Sequence, residues 1–544
     1  MKAAELFVRC LENEGVTTVY GIPGEENLDV MDALVGSDIE FVTTRHEQGA
    51  AFMADVRGRL TGTAGVCLST LGPGATNLVT GVADANMDGA PVVAIAGQAA
   101  TTRMHKESHQ VVDLEAIFAP ITKYTAQIRS PQIVPEVVRK AFKVAQAEKP
   151  GVSFLEFPED VAAADVTGQN PLRRQAAMQP LPPLPKIEQA AELIGRAKTP
   201  IIMAGNGVVR AQASEELVAF AERVNIPVAT TFMAKGVVPG AHPLALGTVG
   251  LQANDYVACG FEMADLVICV GYDIVEYHPY LWNAQGRLKL VHIHSSPAEV
   301  DECYIVEAGV VGDIGASLAA IGDRCRPHAA PLAAVLHQAI LDDIALHAES
   351  TAFPLKPQKI IWDLRRAMGP EDIVVSDVGA HKLWMARMYQ AERPNTCIIS
   401  NGFAAMGIAV PGAIAARHVN PERKVVAVTG DAGFMMNSQE IETALRLRTP
   451  IVILIWNDAA YGLIRWKQME YFEREHGVGF VNPDFVAYAQ SFGAEGVRIE
   501  KAADLAPTLA KALAADTVTV IDCPVDYSEN LRLPHLAGDM ICRD

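Results

Sequence analysis

The sequence has 544 residues, half of them hydrophobic and a fifth charged. That length is more than one hydrophobic core organises, and it implies three or four units of roughly 150 residues. The 45 basic and 64 acidic residues give a net charge of −19, a field that repels phosphate backbones and anionic bilayers, so neither nucleic acid nor membrane is an expected partner.

The opening stretch, MKAAELFVRCLENEG, reads as an amphipathic helix with acids at Glu5, Glu12 and Glu14. It lacks the apolar core and cleavage site of a signal peptide, and a cytoplasmic enzyme is the expectation. Residues 1–165 alternate helical patterns with short apolar runs: TTVYGIPG, IEFVTTRHE, AGVCLSTLGPG, PVVAIAGQ and VSFLEFPED. Strand, turn and helix in that order predict a parallel sheet covered by helices. PLRRQAAMQPLPPLP (171–185), with five prolines, predicts a semi-rigid linker. A second, Rossmann-like α/β unit over 186–325 carries PIIMAG, PVATTF, LVICVG and LKLVHIH as strands, with no G-x-G-x-x-G following any of them. After an irregular stretch at 324–356, the third unit (355–544) carries IVVSDVG, KVVAVTGD, PIVILIWND and TVTVIDCP. The longest apolar run, PIVILIW (450–456), is strand length and far short of a membrane span. The nine cysteines are scattered with no Cys-x-x-Cys pair, so neither a disulfide framework nor a zinc cluster is indicated. The predicted fold class is α/β, three doubly wound parallel-sheet domains of one repeated pattern. In such sheets ligands bind at the carboxyl ends of the strands.

In the third unit, Gly430-Asp431 ends one predicted strand and Asn457-Asp458 the next. If the strands are neighbours, the two carboxylates line one small site suited to a hard cation such as Mg²⁺. Gly430 and Gly433 leave room for a bulky anion at the start of the following helix. Taken singly, each pair is also ordinary turn chemistry. In the first unit, Glu47 stands at a strand-to-helix junction, where an acid also suits the positive end of a helix. GIPGEEN (21–27) and LGPGATN (71–77) are Gly/Pro turns at strand ends.

Together these segments resemble the thiamine-diphosphate-dependent enzymes, and the resemblance covers essentially the whole chain. The third unit is similar to that family's Gly-Asp-Gly strand end followed by Asn-Asn, with Ala432 replacing the second Gly and Asp458 the second Asn. The resemblance implies Mg²⁺ on Asp431, Asp458 and the backbone carbonyl of Ala460. It places thiamine diphosphate against Gly379, Ala380, His381, Gly430, Ala432, Gly433 and Tyr461. On the pyrimidine side it implies Pro23, Gly24, Gly72 and Asn77, with Glu47 bonded to the aminopyrimidine ring. It also assigns Ala404, and it makes Met406 the bulky apolar residue under the cofactor.

Within the family, HKESHQVVDLEAIFAPITKYT (105–125), VGYDIVEYHPYLWN (270–283) and PVDYSENLRL (524–533) are similar to the flavin-free acetolactate synthases. Gln110, Lys123 and the pair His109-Gln110 carry the first likeness, with Gln110 and His109 expected near the reacting carbons. YGLIRWKQ departs from biosynthetic relatives, which carry Trp where this chain has Lys467 beside Trp466; that opens the question of the acceptor. The implied reaction decarboxylates pyruvate and joins the two-carbon unit to a second pyruvate, giving 2-acetolactate and CO₂. Small 2-keto acids are then the partners, and a homodimer or homotetramer with sites at subunit interfaces is implied. Another thiamine-diphosphate decarboxylase, carboligase or pyruvate oxidase shares this architecture. A non-catalytic thiamine-binding regulatory subunit is a further alternative, against which intact Glu47, Asp431 and Asp458 speak.

Overall fold

The computed structural model describes residues 1–175, 178–250, 256–329 and 331–530. The last residues of the PVDYSENLRL segment, 531–533, lie outside these, as do residues 176 and 177 of the proline-rich stretch.

Three six-stranded parallel sheets make up the fold. The first contains β1 (Thr18–Gly21), β2 (Glu40–Thr43), β3 (Gly65–Ser69), β4 (Val92–Gln98), β5 (Tyr124–Gln127) and β6 (Val152–Pro158). The second contains β7 (Pro200–Ala204), β8 (Val228–Thr230), β9 (Ala245–Thr248), β10 (Leu266–Val270), β11 (Lys289–His294) and β12 (Val306–Val311). The third contains β13 (Ile373–Ser376), β14 (Cys397–Ile399), β15 (Val425–Gly430), β16 (Val452–Asn457), β17 (Glu495–Arg498) and β18 (Thr519–Pro524).

The first and third sheets share an order, β2-β1-β3-β4-β6-β5 and β14-β13-β15-β16-β18-β17, but the middle sheet runs β12-β11-β10-β7-β8-β9. That middle order is the one found in dinucleotide-binding sheets. The alternation of strands and helices is the same in all three, so periodicity could not separate them.

The strands are apolar nearly throughout because helices cover both faces. In the middle sheet Ile202, Ala204, Ile268 and Val270 enter one core, while Ile201, Met203, Val267 and Cys269 enter the other. Alternate residues point to opposite faces, and both faces are dry. One apolar core serves the first sheet, and another, including Trp384 and Trp456, serves the third.

Six helices matter for function: α1 (Glu47–Thr61), α2 (Gly72–Met87), α3 (Asn206–Arg210), α4 (Ala380–Met388), α5 (Ala409–Val419) and α6 (Glu440–Arg446). The chain forms two compact units. One comprises Met1–Ala177, Gly402–Glu422 and Met436–Pro450; the other comprises Met178–Asn401, Arg423–Met435 and Ile451–Asp544. Helices α5 and α6 thus belong with the first sheet, and α5 packs along α1. Among the described residues, no helix is long and apolar enough to cross a membrane.

Candidate active site

In the first unit, three residues turn the chain from β2 into α1, and their backbone amides are well held. His46 caps the helix, its Nδ1 accepting the N–H of Gln48 at 3.0 Å. Glu440, on α6, accepts the N–H of Arg45 at 3.0 Å and of His46 at 3.1 Å through one oxygen. Its other oxygen accepts the Thr443 hydroxyl at 2.6 Å. Glu440 is fully buried, and burial pushes its carboxyl up to about 6.

Glu47 follows this braced turn and is itself buried. Its Oε2 accepts a hydrogen bond from Asn77 Nδ2 at 2.9 Å. Its Oε1 lies against the bare backbone of Gly74, where a Cβ would stand only 3.3 Å away. One oxygen is therefore oriented by α2, and the other has space on its glycine side. Gly24 sits tightly on the β3 end, since a Cβ there would lie 2.4 Å from Thr70 Cβ; Pro23 is exposed. Gly72 has φ +45°, and a Cβ there would lie 2.5 Å from the Gln110 carbonyl oxygen. The backbone of Gln110 is thus brought onto the start of α2, and the side chains of His109 and Gln110 are exposed. Ala404 has φ +57° and Met406 is half-buried, both on a segment belonging to this unit.

In the second unit, β15 and β16 are neighbours with Gly430 opposite Trp456, so Asp431 and Asn457-Asp458 emerge side by side. Asp431 Oδ1 accepts the N–H of Ala432 at 2.9 Å. Its Oδ2 accepts the N–H of Ala459 and the Asn482 amide, each at 2.7 Å. Asn482 also donates to Asn457 Oδ1 at 3.0 Å, and Asn457 donates to Asp522 at 2.9 Å. The carboxyl of Asp458 is pushed up to about 7, first by burial and then by the charge of Asp431. Arg465 approaches Asp458 only to 3.8 Å. Ala460 is buried and Tyr461 is exposed, its ring against Phe480.

On the adjoining strand end, α4 starts after Gly379. The His381 ring lies beside two glycines: a Cβ on Gly379 would be 3.0 Å from it and one on Gly430 would be 3.4 Å away. Burial pushes the imidazole down to about 4, so it is neutral, and its Nε2 is buried without a hydrogen-bond partner. Ala380 is buried beside it. Ala432 and Gly433 continue from Asp431, and a Cβ on Gly433 would strike Asp377 Oδ1 at 2.8 Å.

These residues suit a hard cation that carries an oxyanion. Two crowded carboxylates are relieved by a cation, and an unpaired neutral imidazole nitrogen flanked by two glycines suits an anionic oxygen. Among the described residues, no group of three or more His, Cys, Asp or Glu side chains is arranged to hold a metal. A cation on Asp431 and Asp458 would therefore need backbone and non-protein oxygens to complete its shell.

Sequence reasoning missed Glu440, Asn482 and Asp377. Glu440 meets Arg45 across 395 positions, and Asn482 meets Asp431 across 51, so no local motif announces them. Lys123 donates to the carbonyls of Val144, Ala147 and Lys149, closing the end of the helix Val134–Gln146. Trp466 is buried, while Lys467 pairs with Glu470 at 2.8 Å and stands over the Trp466 ring.

Three family profiles match the chain: the thiamine pyrophosphate enzyme N-terminal TPP binding domain over residues 1–117, the central domain over 187–321, and the C-terminal TPP binding domain over 377–523. An acetolactate synthase of Bacillus subtilis (strain 168) is 38% identical over 543 residues, covering 98% of this chain and 94% of that protein. The catabolic acetolactate synthase of Raoultella terrigena is 37% identical over 546 residues, covering 99% and 97%. A probable acetolactate synthase large subunit of Methanocaldococcus jannaschii is 35% identical over 565 residues, covering 98% and 93%. With all three domain profiles matched in order and relatives alike from end to end, the chain belongs to the thiamine pyrophosphate enzyme family.

Proposed function

We propose that this protein condenses two molecules of pyruvate into 2-acetolactate with release of CO₂. The observation that carries this reading is the end-to-end likeness to acetolactate synthases, 38% identity across 98% of the chain. Thiamine diphosphate, when bound, supplies the electron sink on which a 2-keto acid loses CO₂. The chain's own residues then have distinct tasks. Asp431, Asp458 and the Ala460 carbonyl would hold Mg²⁺, and neutral His381 would donate from Nε2 to the diphosphate. Glu47, steadied through Oε2 by Asn77, would share a proton with the cofactor's aminopyrimidine through its other oxygen. Gln110, placed on Gly72, would donate to the alkoxide that develops on the substrate. Pro23, Gly24, Ala404 and Met406 would shape the pyrimidine side; Gly379, Ala380, Gly430, Ala432, Gly433 and Tyr461 would shape the diphosphate side.

The same reading carries a homodimer or homotetramer with sites at subunit interfaces, and folding units bounded near 1–165, 186–325 and 355–544. It also carries a cytoplasmic setting, which the seven free cysteines among the described residues, six of them buried, support. Purified full-length protein given pyruvate, Mg²⁺ and thiamine diphosphate, without flavin, should yield acetolactate by NMR. Glu47→Gln should lower kcat by about 10²–10⁴, the usual worth of a positioned acid–base group. Pyruvate left untouched by cofactor-loaded protein would overturn the reaction named here.

A further inference from the structure

Helices α1 and α2 lie side by side and are pinned together at both ends. At their starts Asn77 donates to Glu47, 30 positions apart. About three turns on, Arg59 donates to Asp88 at 2.8 Å, 29 positions apart, so the two helices run in parallel register. Arg59 also donates twice to Asp55, at 2.6 and 3.0 Å, and reaches Asp84 at 3.4 Å. All three carboxylates are buried. Burial pushes the Asp55 carboxyl up, and the Arg59 guanidinium opposes this by stabilising the charged form.

The remaining oxygens of this cluster point at another piece of chain. Asp88 Oδ1 accepts the N–H of Gly402 at 2.5 Å, and Asp84 Oδ1 accepts the N–H of Ala405 at 3.1 Å. A Cβ on Gly402 would lie 2.7 Å from Asp88 Oδ1, so the approach depends on a glycine. At the far end of the segment, Asn437 donates to the Gly407 carbonyl at 3.0 Å and to Gln48 at 3.2 Å. Between these anchors stands Ala404 in the left-handed region, at φ +57°, a conformation that needs outside support in a residue other than glycine.

We propose that Asp84 and Asp88, braced by Arg59, are positioning residues that fix the segment 402–407 and with it Met406. This rests on the reading of Met406 as a cofactor-side residue. The two acids touch neither cofactor nor substrate. They act through the backbone amides of Gly402 and Ala405, and α1 and α2 hold the acid cluster in place. A carboxylate on a backbone N–H is a strong, directional bond, and losing it leaves the amide of a tightly packed loop without a partner.

The first test is amide hydrogen exchange by mass spectrometry on cofactor-free, full-length protein, and it does not depend on which substrate is turned over. Asp84→Ala and Asp88→Ala should speed exchange in peptides spanning 400–408 by about tenfold, with peptides from β1, β3 and β4 unchanged. Gly402→Ala, which keeps the acids but pushes the loop off them, should do the same and carries the test if the Asp variants fail to fold. Asp88→Asn, whose amide oxygen still accepts the Gly402 N–H, should restore most of the protection. In the loaded enzyme the alanine variants should lower kcat about tenfold with KM for pyruvate little changed. Folded alanine variants with wild-type exchange at 400–408, or exchange raised evenly across the unit, would overturn the proposal. Fast exchange in a protein that does not act on pyruvate would leave this positioning role standing and sink only the reaction.

Discussion

The middle and third sheets each bring a largely enclosed acid to their carboxyl ends, and both acids are displaced alike. Glu276 and Asp458 are each pushed up to about 7, first by burial and then by a neighbouring carboxylate, Asp273 or Asp431. The surroundings differ completely. Glu276 accepts the N–H of Asn206 at the start of α3 with both oxygens at 3.0 Å, the N–H of Asp273 at 3.0 Å and the Thr231 hydroxyl at 2.5 Å. Asp273 in turn pairs with Arg210 at 3.0 Å. The glycines there pack backbone to backbone, since a Cβ on Gly205 would lie 2.5 Å from the Gly271 carbonyl. In the third sheet Asp458 faces Asp431 with Arg465 no nearer than 3.8 Å, and Gly379 and Gly430 face only a histidine ring with an unpaired nitrogen. A displaced acid therefore does not by itself mark a ligand site. An unpaired polar atom and unmatched charge do, and the loops supply both, not the fold.

Three substitutions would sharpen or break this contrast. Asp431→Ala should have the largest effect. It removes one of the two carboxylates proposed to hold the cation, and affinity for Mg²⁺ with thiamine diphosphate, measured by calorimetry, should fall by about 10³-fold, or about 4 kcal/mol. Glu276→Ala should leave that affinity within about twofold, yet cost about 3 kcal/mol in urea unfolding because several donors lose their acceptor. If Glu276→Ala instead abolished cofactor binding, the contrast between the two sheet ends would fail.

Glu440 of the first unit is an intermediate case, an acid supplied with donors but still raised by burial. Its folded value of about 6 exceeds the free value of 4.5, so the folded protein holds the proton more tightly between those values. Stability from this group is full below pH 4.5 and is lost as pH rises through 6. Glu440→Gln keeps an oxygen for Arg45 and His46 and removes the titration. Relative to the parent it should gain about 2 kcal/mol between pH 4.5 and pH 7.5 in chemical melts. A flat difference across that range would show that Glu440 does not titrate there.

Much of the fold was legible because buried parallel strands are continuous apolar runs. The strands that escaped the sequence reading were β5, β9, β12, β14 and β17, and every one is a sheet edge. An edge strand has one neighbour and is often wetter: β5 is half-buried throughout and β17 is exposed at both ends. Its pattern is weaker for that reason. Alternation alone does not give strand order in any of the three sheets, since it records the type of each element and not its neighbour. At the candidate site, Glu47, Asp431 and Asp458 stand at strand ends inside short motifs and could be singled out. Glu440, Asn482, Asp84 and Asp88 act across 395, 51, 321 and 314 positions. Only folding brings such residues to their partners.

The chain passes between its two compact units after residues 177, 401, 422, 435 and 450. Stretches of sequence lying among the strands of the third sheet are thus structural property of the first. This weaving constrains inheritance. The strands of the middle sheet occupy one unbroken stretch, 200–311, yet that sheet shares a compact unit with the third, and its Lys235 donates to the Ala386 carbonyl. No single crossover parts the first and third sheets without leaving helix α1 to seek α5 on a foreign chain. Those two sheets must descend together, and the middle one is tied to the third.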